Sequence, residues 1–79
     1  MRLDKYLKVS RLIKRRTVAN EACDNGRIRV NGRVVNASYD VKVGDKIEIA
    51  LGTRTLAVEV VQVAETVRKD DAAAMYKEV

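Results

Sequence analysis

Apolar positions at the start of the chain recur with helical spacing. Leu3, Tyr6 and Leu7 fall on one side of a helical wheel, and Arg2, Lys5 and Lys8 turn away from them. The spacing predicts an amphipathic helix with one packing face and one cationic face. Ser10 to Ile13 reads as a connection, and Lys14 to Asn25 reads as a second helix whose buried stripe is Val18, Ala19, Ala22 and Cys23. Gly26 supplies a stop, because glycine accepts the left-handed conformation in which helices commonly end.

From Arg27 the period drops to two. Arg27, Ile28, Arg29 and Val30 alternate, Asn31-Gly32 is the strongest short hairpin signal, and Val34-Val35 continue beyond it. Asn36 to Asp40 is polar loop and Val43-Gly44-Asp45 a turn. Ile47, Ile49 and Leu51 then alternate with Glu48 and Ala50 as a half-buried strand that Gly52-Thr53 closes. Leu56, Val58 and Val60 form the next strand, while Val60, Val61 and Val63 break the alternation and predict a bulge or strand end. In the segment after Ala64, Asp70 or Asp71 can cap a short final helix over Ala72 to Tyr76. Helices at the start and strands after them predict an α+β fold: two N-terminal helices packed on a small antiparallel sheet, with a short helical tail.

Composition narrows what such a fold can do. A chain of 79 residues that is 47% hydrophobic supports one domain. A domain of that size buries about 60% of its unfolded surface and has little room for a deep substrate cavity beside its core. The formal charge of +5 is unevenly spread. Residues 1–35 carry ten Lys or Arg against three acids, Asp4, Glu21 and Asp24, and residues 36–79 carry six against eight. The first half therefore favours a polyanionic partner, through phosphate contact and counterion release.

The inventory for catalysis is thin. With no histidine and one cysteine there is no Ser-His triad and no zinc site of the usual kind, and the four glycines form no phosphate-cradling loop. Turn geometry and solvation account for Asp40, Asp45 and Glu48. We expect no enzymatic activity, no metal and no cofactor. Cys23 has no disulfide partner, and the N-terminus lacks the apolar stretch of a secretory signal, so a cytoplasmic location is expected. No apolar run approaches the ~18 residues that span a bilayer, and no membrane partner is expected.

Arg2, Lys5, Lys8, Arg11, Lys14, Arg15 and Arg16 put seven cations into sixteen residues, with Asp4 the only acid among them. Lys14 to Arg16 are expected at the start of the second helix, where free N–H groups and the positive end of the dipole also favour phosphate. A merely solvated face is the competing reading of these cations. Three tyrosines without tryptophan or phenylalanine leave no paired stacking platform, which favours folded RNA over single-stranded loops. Duplex DNA reading by a helix-turn-helix stays open, although Glu21 and Asp24 on the second helix would repel a phosphate backbone.

Four pieces in order, Arg2-Leu3-Asp4-Lys5-Tyr6-Leu7, Arg15-Arg16-Thr17-Val18-Ala19, Gly26-Arg27-Ile28-Arg29-Val30-Asn31-Gly32 and Val43-Gly44-Asp45-Lys46-Ile47, resemble the S4 domain, an RNA-binding module with an αL-type fold. The resemblance covers residues 1–63 and leaves 64–79 as a part-helical tail. The run from Lys8 to Thr17 and the segment from Ala72 to Tyr76 are similar to the short bacterial group of RqcP and the ribosome-associated heat-shock S4 proteins.

That resemblance implies a factor, monomeric when free, that docks on large ribosomal subunits obstructed by peptidyl-tRNA. It would contact large-subunit rRNA and the peptidyl-site tRNA, and support alanine tailing by an RqcH-type factor. It further implies phosphate contacts at Arg2, Lys5, Lys8, Arg11, Lys14, Arg15 and Arg16, a hydroxyl donor at Thr17, and an orienting role for Asp4, which with Arg16 is expected to contribute little to folding. Many S4 domains carry Ser or Thr where this chain has Arg15, so the usual helix cap is missing and the local charge is higher. The alternatives are the RNA-targeting accessory module of an RNA-modifying enzyme and a DNA-binding regulator.

Overall fold

The structure, a computed structural model, describes all residues, 1–79. Two helices, α1 (Leu3–Val9) and α2 (Arg16–Asp24), are followed by strands β1 (Ile28–Val30), β2 (Arg33–Val34), β3 (Lys46–Leu51) and β4 (Arg54–Val60). A 3-10 helix, η1 (Lys69–Met75), and a last strand, β5 (Tyr76–Glu78), complete the chain. The five strands form one antiparallel sheet in the order β2-β1-β3-β4-β5.

Alternation along the strands decides which face of the sheet is covered. Ile28 pairs with Ile49, Val30 with Ile47 and Ile47 with Val58, all on the face that meets the helices. These side chains form one core with Leu3, Tyr6 and Leu7 of α1 and Ala19 and Cys23 of α2. The hairpin at Asn31-Gly32 has positive φ at both residues, +52° and +82°, as a type I′ turn requires. Asn31 also ties two turns together, its side chain donating to Asp45 Oδ1 at 3.1 Å and accepting from the Lys46 N–H at 3.0 Å.

α1 starts without a side-chain cap, yet each of its first donors finds an acceptor. The N–H of Leu3 donates to the Tyr39 carbonyl at 2.8 Å and that of Asp4 to the Ala37 carbonyl at 3.1 Å. The N–H of Lys5 donates to Asp4 Oδ1 at 2.8 Å, and that of Tyr6 begins the helical ladder on Arg2. The loop between β2 and β3 thus holds the helix start in place.

α2 differs from expectation at its start and on its face. It begins at Arg16, because Arg15 is extended (φ −121°, ψ 136°), so Lys14 and Arg15 precede the helix. Val18 is exposed rather than buried. The small pair Ala19 and Cys23 faces the core, and at about 100° per residue Val18 points roughly 120° away from their midpoint. The helix ends on a Schellman turn at Gly26 (φ +71°), with the Gly26 N–H on the Cys23 carbonyl at 3.1 Å and the Arg27 N–H on that of Ala22 at 2.9 Å.

The segment after β4 is held into the core. Met75 is fully buried, and its carbonyl accepts from the N–H groups of Val61 (2.8 Å) and Gln62 (3.0 Å) and from the Tyr6 hydroxyl (2.8 Å). Burial pushes the Tyr6 phenol upward, with the neighbouring Tyr76 adding to the effect. The expected helix over Ala72 to Tyr76 is instead a 3-10 segment that no side chain caps, and Tyr76 belongs to β5. A segment this short gains little from helix propagation, and pairing with β4 takes over once Met75 is seated.

Removing the Met75 side chain is expected to cost about 2–5 kcal/mol, the range for emptying a buried methionine site. Tyr6→Phe, which removes one of three donors to the Met75 carbonyl, is expected to cost about 1 kcal/mol. Urea titrations of the two variants check the order; equal stability of Met75→Ala and the parent would mean that residues 64–79 are not part of the folded core.

Candidate nucleic-acid interface

Asp4 organises the cationic end of the molecule. Its side chain is only 3% exposed and accepts from Arg2 Nε (3.2 Å), Arg2 Nη2 (3.3 Å), Asn20 Nδ2 (3.2 Å) and the Lys5 N–H (2.8 Å). Arg16 Nε stands 3.4 Å from Oδ2. Burial, the largest single influence, pushes this carboxyl up, but the donors from Arg2, Asn20, Arg16 and the Lys5 backbone outweigh it and hold it at about 2. Arg2 enters from the start of α1, and Asn20 and Arg16 come from α2. One buried charge therefore ties the two helices together while the two arginine side chains stay about half exposed, at 51% and 47%.

Beside this cluster lies an open cleft of about 800 Å³ between the α1–α2 connection and residues 65–69. Lys5, Lys8, Arg11, Lys14 and Arg16 line one wall, and Glu65, Thr66 and Lys69 the other. Lys5 is paired with Glu65 across it, which draws the Glu65 carboxyl below its ordinary value. Lys8, Arg11, Lys14 and Lys69 have no ion-pair partner within 4.0 Å. Arg11 holds a left-handed conformation that costs a non-glycine residue roughly 1–2 kcal/mol. It caps the end of α1, its N–H donating to the Lys8 carbonyl at 3.1 Å, and it belongs to the cleft wall.

The remaining residues of the expected set sit outside the cleft. Arg15 is exposed just before α2, and Thr17 lines a shallower hollow with Asp4, Arg16, Asn20 and Glu21. The first N–H groups of α2 have no side-chain cap. Asn20, Thr66 and Lys69 were not singled out in the sequence. Asn20 reads in the sequence as part of the polar face of the second helix with Glu21 and Asn25, which gives no sign of a partner on α1, and Lys69 is one cation in a mixed charged run and carries no signal. The expectation that Asp4 contributes little to folding does not hold, since a buried carboxylate with this many donors is part of the structure.

An α+β domain with a preorganised cluster of guanidinium groups beside a cationic cleft is a polyanion-binding module. The S4 domain family model matches residues 1–47. The chain is 56% identical over 77 residues to the RQC P-site tRNA stabilizing factor of Streptococcus pneumoniae and to that of Halalkalibacterium halodurans, in each case over 98% of this chain and 88% of the relative. Its fold superposes with a TM-score of 0.93, at 26% identity, on the trimeric structure of Vibrio cholerae Heat Shock Protein 15, over 100% of this chain and 81% of that one. The chain belongs to the S4 domain family and, within it, to the family of the RQC P-site tRNA stabilizing factors.

Two measurements check the electrostatics. The Asp4 carboxyl is lower in the folded protein than the usual value of 3.8. Its contribution of about 2 kcal/mol is therefore complete above pH ~4 and lost as pH falls toward ~2, and the acid limb of stability should flatten in Asp4→Asn. Burial, and after it Asp4 and Asp24, push the Cys23 thiol up to about 11. The native protein should therefore react with a thiol reagent at neutral pH only as fast as it unfolds. Rapid labelling without denaturant would contradict the buried placement.

Proposed function

We infer that this chain is a non-catalytic RNA-binding factor of ribosome-associated quality control. It docks on large ribosomal subunits that still hold peptidyl-tRNA, stabilises the tRNA in the peptidyl site, and works beside an RqcH-type tailing factor in the cytoplasm. The observation that carries the reading is the pair of arginines, Arg2 and Arg16, drawn together by buried Asp4 next to the cationic cleft. Folded RNA brings several phosphates close together. A set of guanidinium groups fixed before contact binds such a surface with less loss of side-chain freedom than flexible lysines do. The tRNA and its ribosomal site follow from the similarity to the RQC P-site tRNA stabilizing factors.

In this reading Arg2, Lys8, Arg11, Lys14, Arg15 and Arg16 meet phosphate directly and Lys5 does so from within the cleft. Thr17 offers its hydroxyl at the uncapped start of α2, where free N–H groups favour an anion. Asp4 touches no RNA and acts through the arginines it holds. The chain acts as a monomer when free and needs no metal or cofactor for binding.

Gradient sedimentation with purified ribosomal particles tests the placement. The protein is expected with large subunits that carry peptidyl-tRNA, and recovery only with small subunits would overturn the reading. If about five cations meet phosphate, log K should fall with log salt at a slope of roughly −3.5 to −4.5. Arg16→Ala should weaken binding by about 1.5–3 kcal/mol. Asp4→Arg should also weaken it despite the added positive charge, because it releases Arg2 and Arg16; tighter binding by Asp4→Arg would leave charge attraction as the sole basis of affinity.

A further inference from the structure

Glu65 is the one acid among the residues that line the cleft, and it closes an ion pair onto Lys5 from the opposite wall. The two walls differ in how they are held. Val63, Ala64 and Val67 are partly buried against the core and Met75 is locked inside it, so the backbone of residues 64–69 has a fixed course. The Glu65 side chain is 71% exposed, and Lys5 is its only ion-pair partner. An exposed pair of this kind is weak, so the carboxylate can leave without disturbing the wall that carries it.

We propose that Glu65 is an internal stand-in for phosphate: in the free protein it occupies Lys5, and an RNA phosphodiester displaces it and takes Lys5 together with Lys69. This rests on the reading of the cleft as an RNA site and assigns residues 65–69 to that site.

Charge and reach argue for the exchange. Glu65 satisfies one lysine and leaves Lys8, Arg11, Lys14 and Lys69 unpaired around it. A phosphodiester lying in the cleft presents acceptor oxygens to several of these cations at once, so it outcompetes the carboxylate where the RNA shape brings it in deeply. A polyanion that only grazes the surface gains fewer of these contacts and still meets the exposed Glu65 charge. Glu65 thereby lowers affinity for extended or poorly fitting polyanions more than for a well-fitting one, which is specificity by repulsion of the wrong partner.

Fluorescence anisotropy with a labelled RNA stem-loop, over a series of salt concentrations, tests this. Glu65→Gln is expected to bind about two- to fivefold more tightly than the parent at low salt, the scale of one exposed charge contact. Its salt slope should differ from the parent's by less than about 0.9, the contribution of one neutralised phosphate, because the phosphodiester takes Lys5 in the parent as well. Glu78→Gln removes the same charge from an exposed residue outside the cleft and should change affinity less. The gain from Glu65→Gln should vanish in a Lys5→Gln background, and Lys69→Ala should weaken binding. Equal gains from Glu65→Gln and Glu78→Gln, or a gain that survives Lys5→Gln, would overturn the proposal. A parent protein that binds with a steep salt slope while Glu65→Gln behaves identically would leave the RNA-binding reading standing and remove only the role of Glu65. A parent protein that does not bind the stem-loop or the large subunit would remove both.

Discussion

The molecule is organised around a carboxylate that has been taken out of water. Asp4 sits where α1 begins and α2 crosses it, and burial alone would favour its neutral form. It stays ionised because Arg2, Asn20 and the Lys5 N–H donate to it and Arg16 pairs with it at 3.4 Å. Breaking one partner of such a cluster leaves an uncompensated charge, so the helix angle and the arginine positions form one unit. The consequence for binding is that two guanidinium groups reach the surface already aimed. Their positive charge is partly offset by Asp4, and what remains is directional hydrogen bonding from half-exposed donors.

The sheet and the C-terminal segment serve the same end from the other side. Three donors converge on the carbonyl of Met75, one of them the hydroxyl of Tyr6 on α1. This fastens residues 64–79 against the first helix and brings Thr66 and Lys69 opposite the basic connection. The cleft is thus made by parts of the chain that are distant in sequence, and its second wall depends on a buried methionine.

Periodicity carried most of the fold. Leu3, Tyr6 and Leu7 define α1, Asn31-Gly32 the first hairpin, and the alternation of Ile47 and Ile49 with Leu56 and Val58 the central pair of strands, because burial of one face imposes its period on the residues. Besides the exposed Val18, two features escaped it. The start of α2 follows an extended Arg15 and a connection that turns through a left-handed Arg11, and no residue-type preference announces an arginine in that conformation. The end of the chain is governed by tertiary contacts of Met75, which override the helix preference of the three alanines. The basic cluster was legible as a set of charges, and the orienting role of Asp4 came from a family resemblance. That Asp4 is buried, and that Lys69 and Glu65 face the cluster, are facts of packing that no local pattern encodes.

The central claim is that Asp4 acts on RNA through the arginines it holds, and a double-mutant cycle on affinity addresses it most directly. Binding to large subunits carrying peptidyl-tRNA is measured for the parent, Arg16→Ala, Asp4→Asn and the double variant, at a pH and temperature where all four are folded by circular dichroism. If Asp4 positions Arg16, the loss from Arg16→Ala shrinks severalfold once Asp4 is gone, because an unaimed guanidinium has less to lose. Additive losses in the double variant would contradict the account and leave Asp4 a structural residue with no part in recognition.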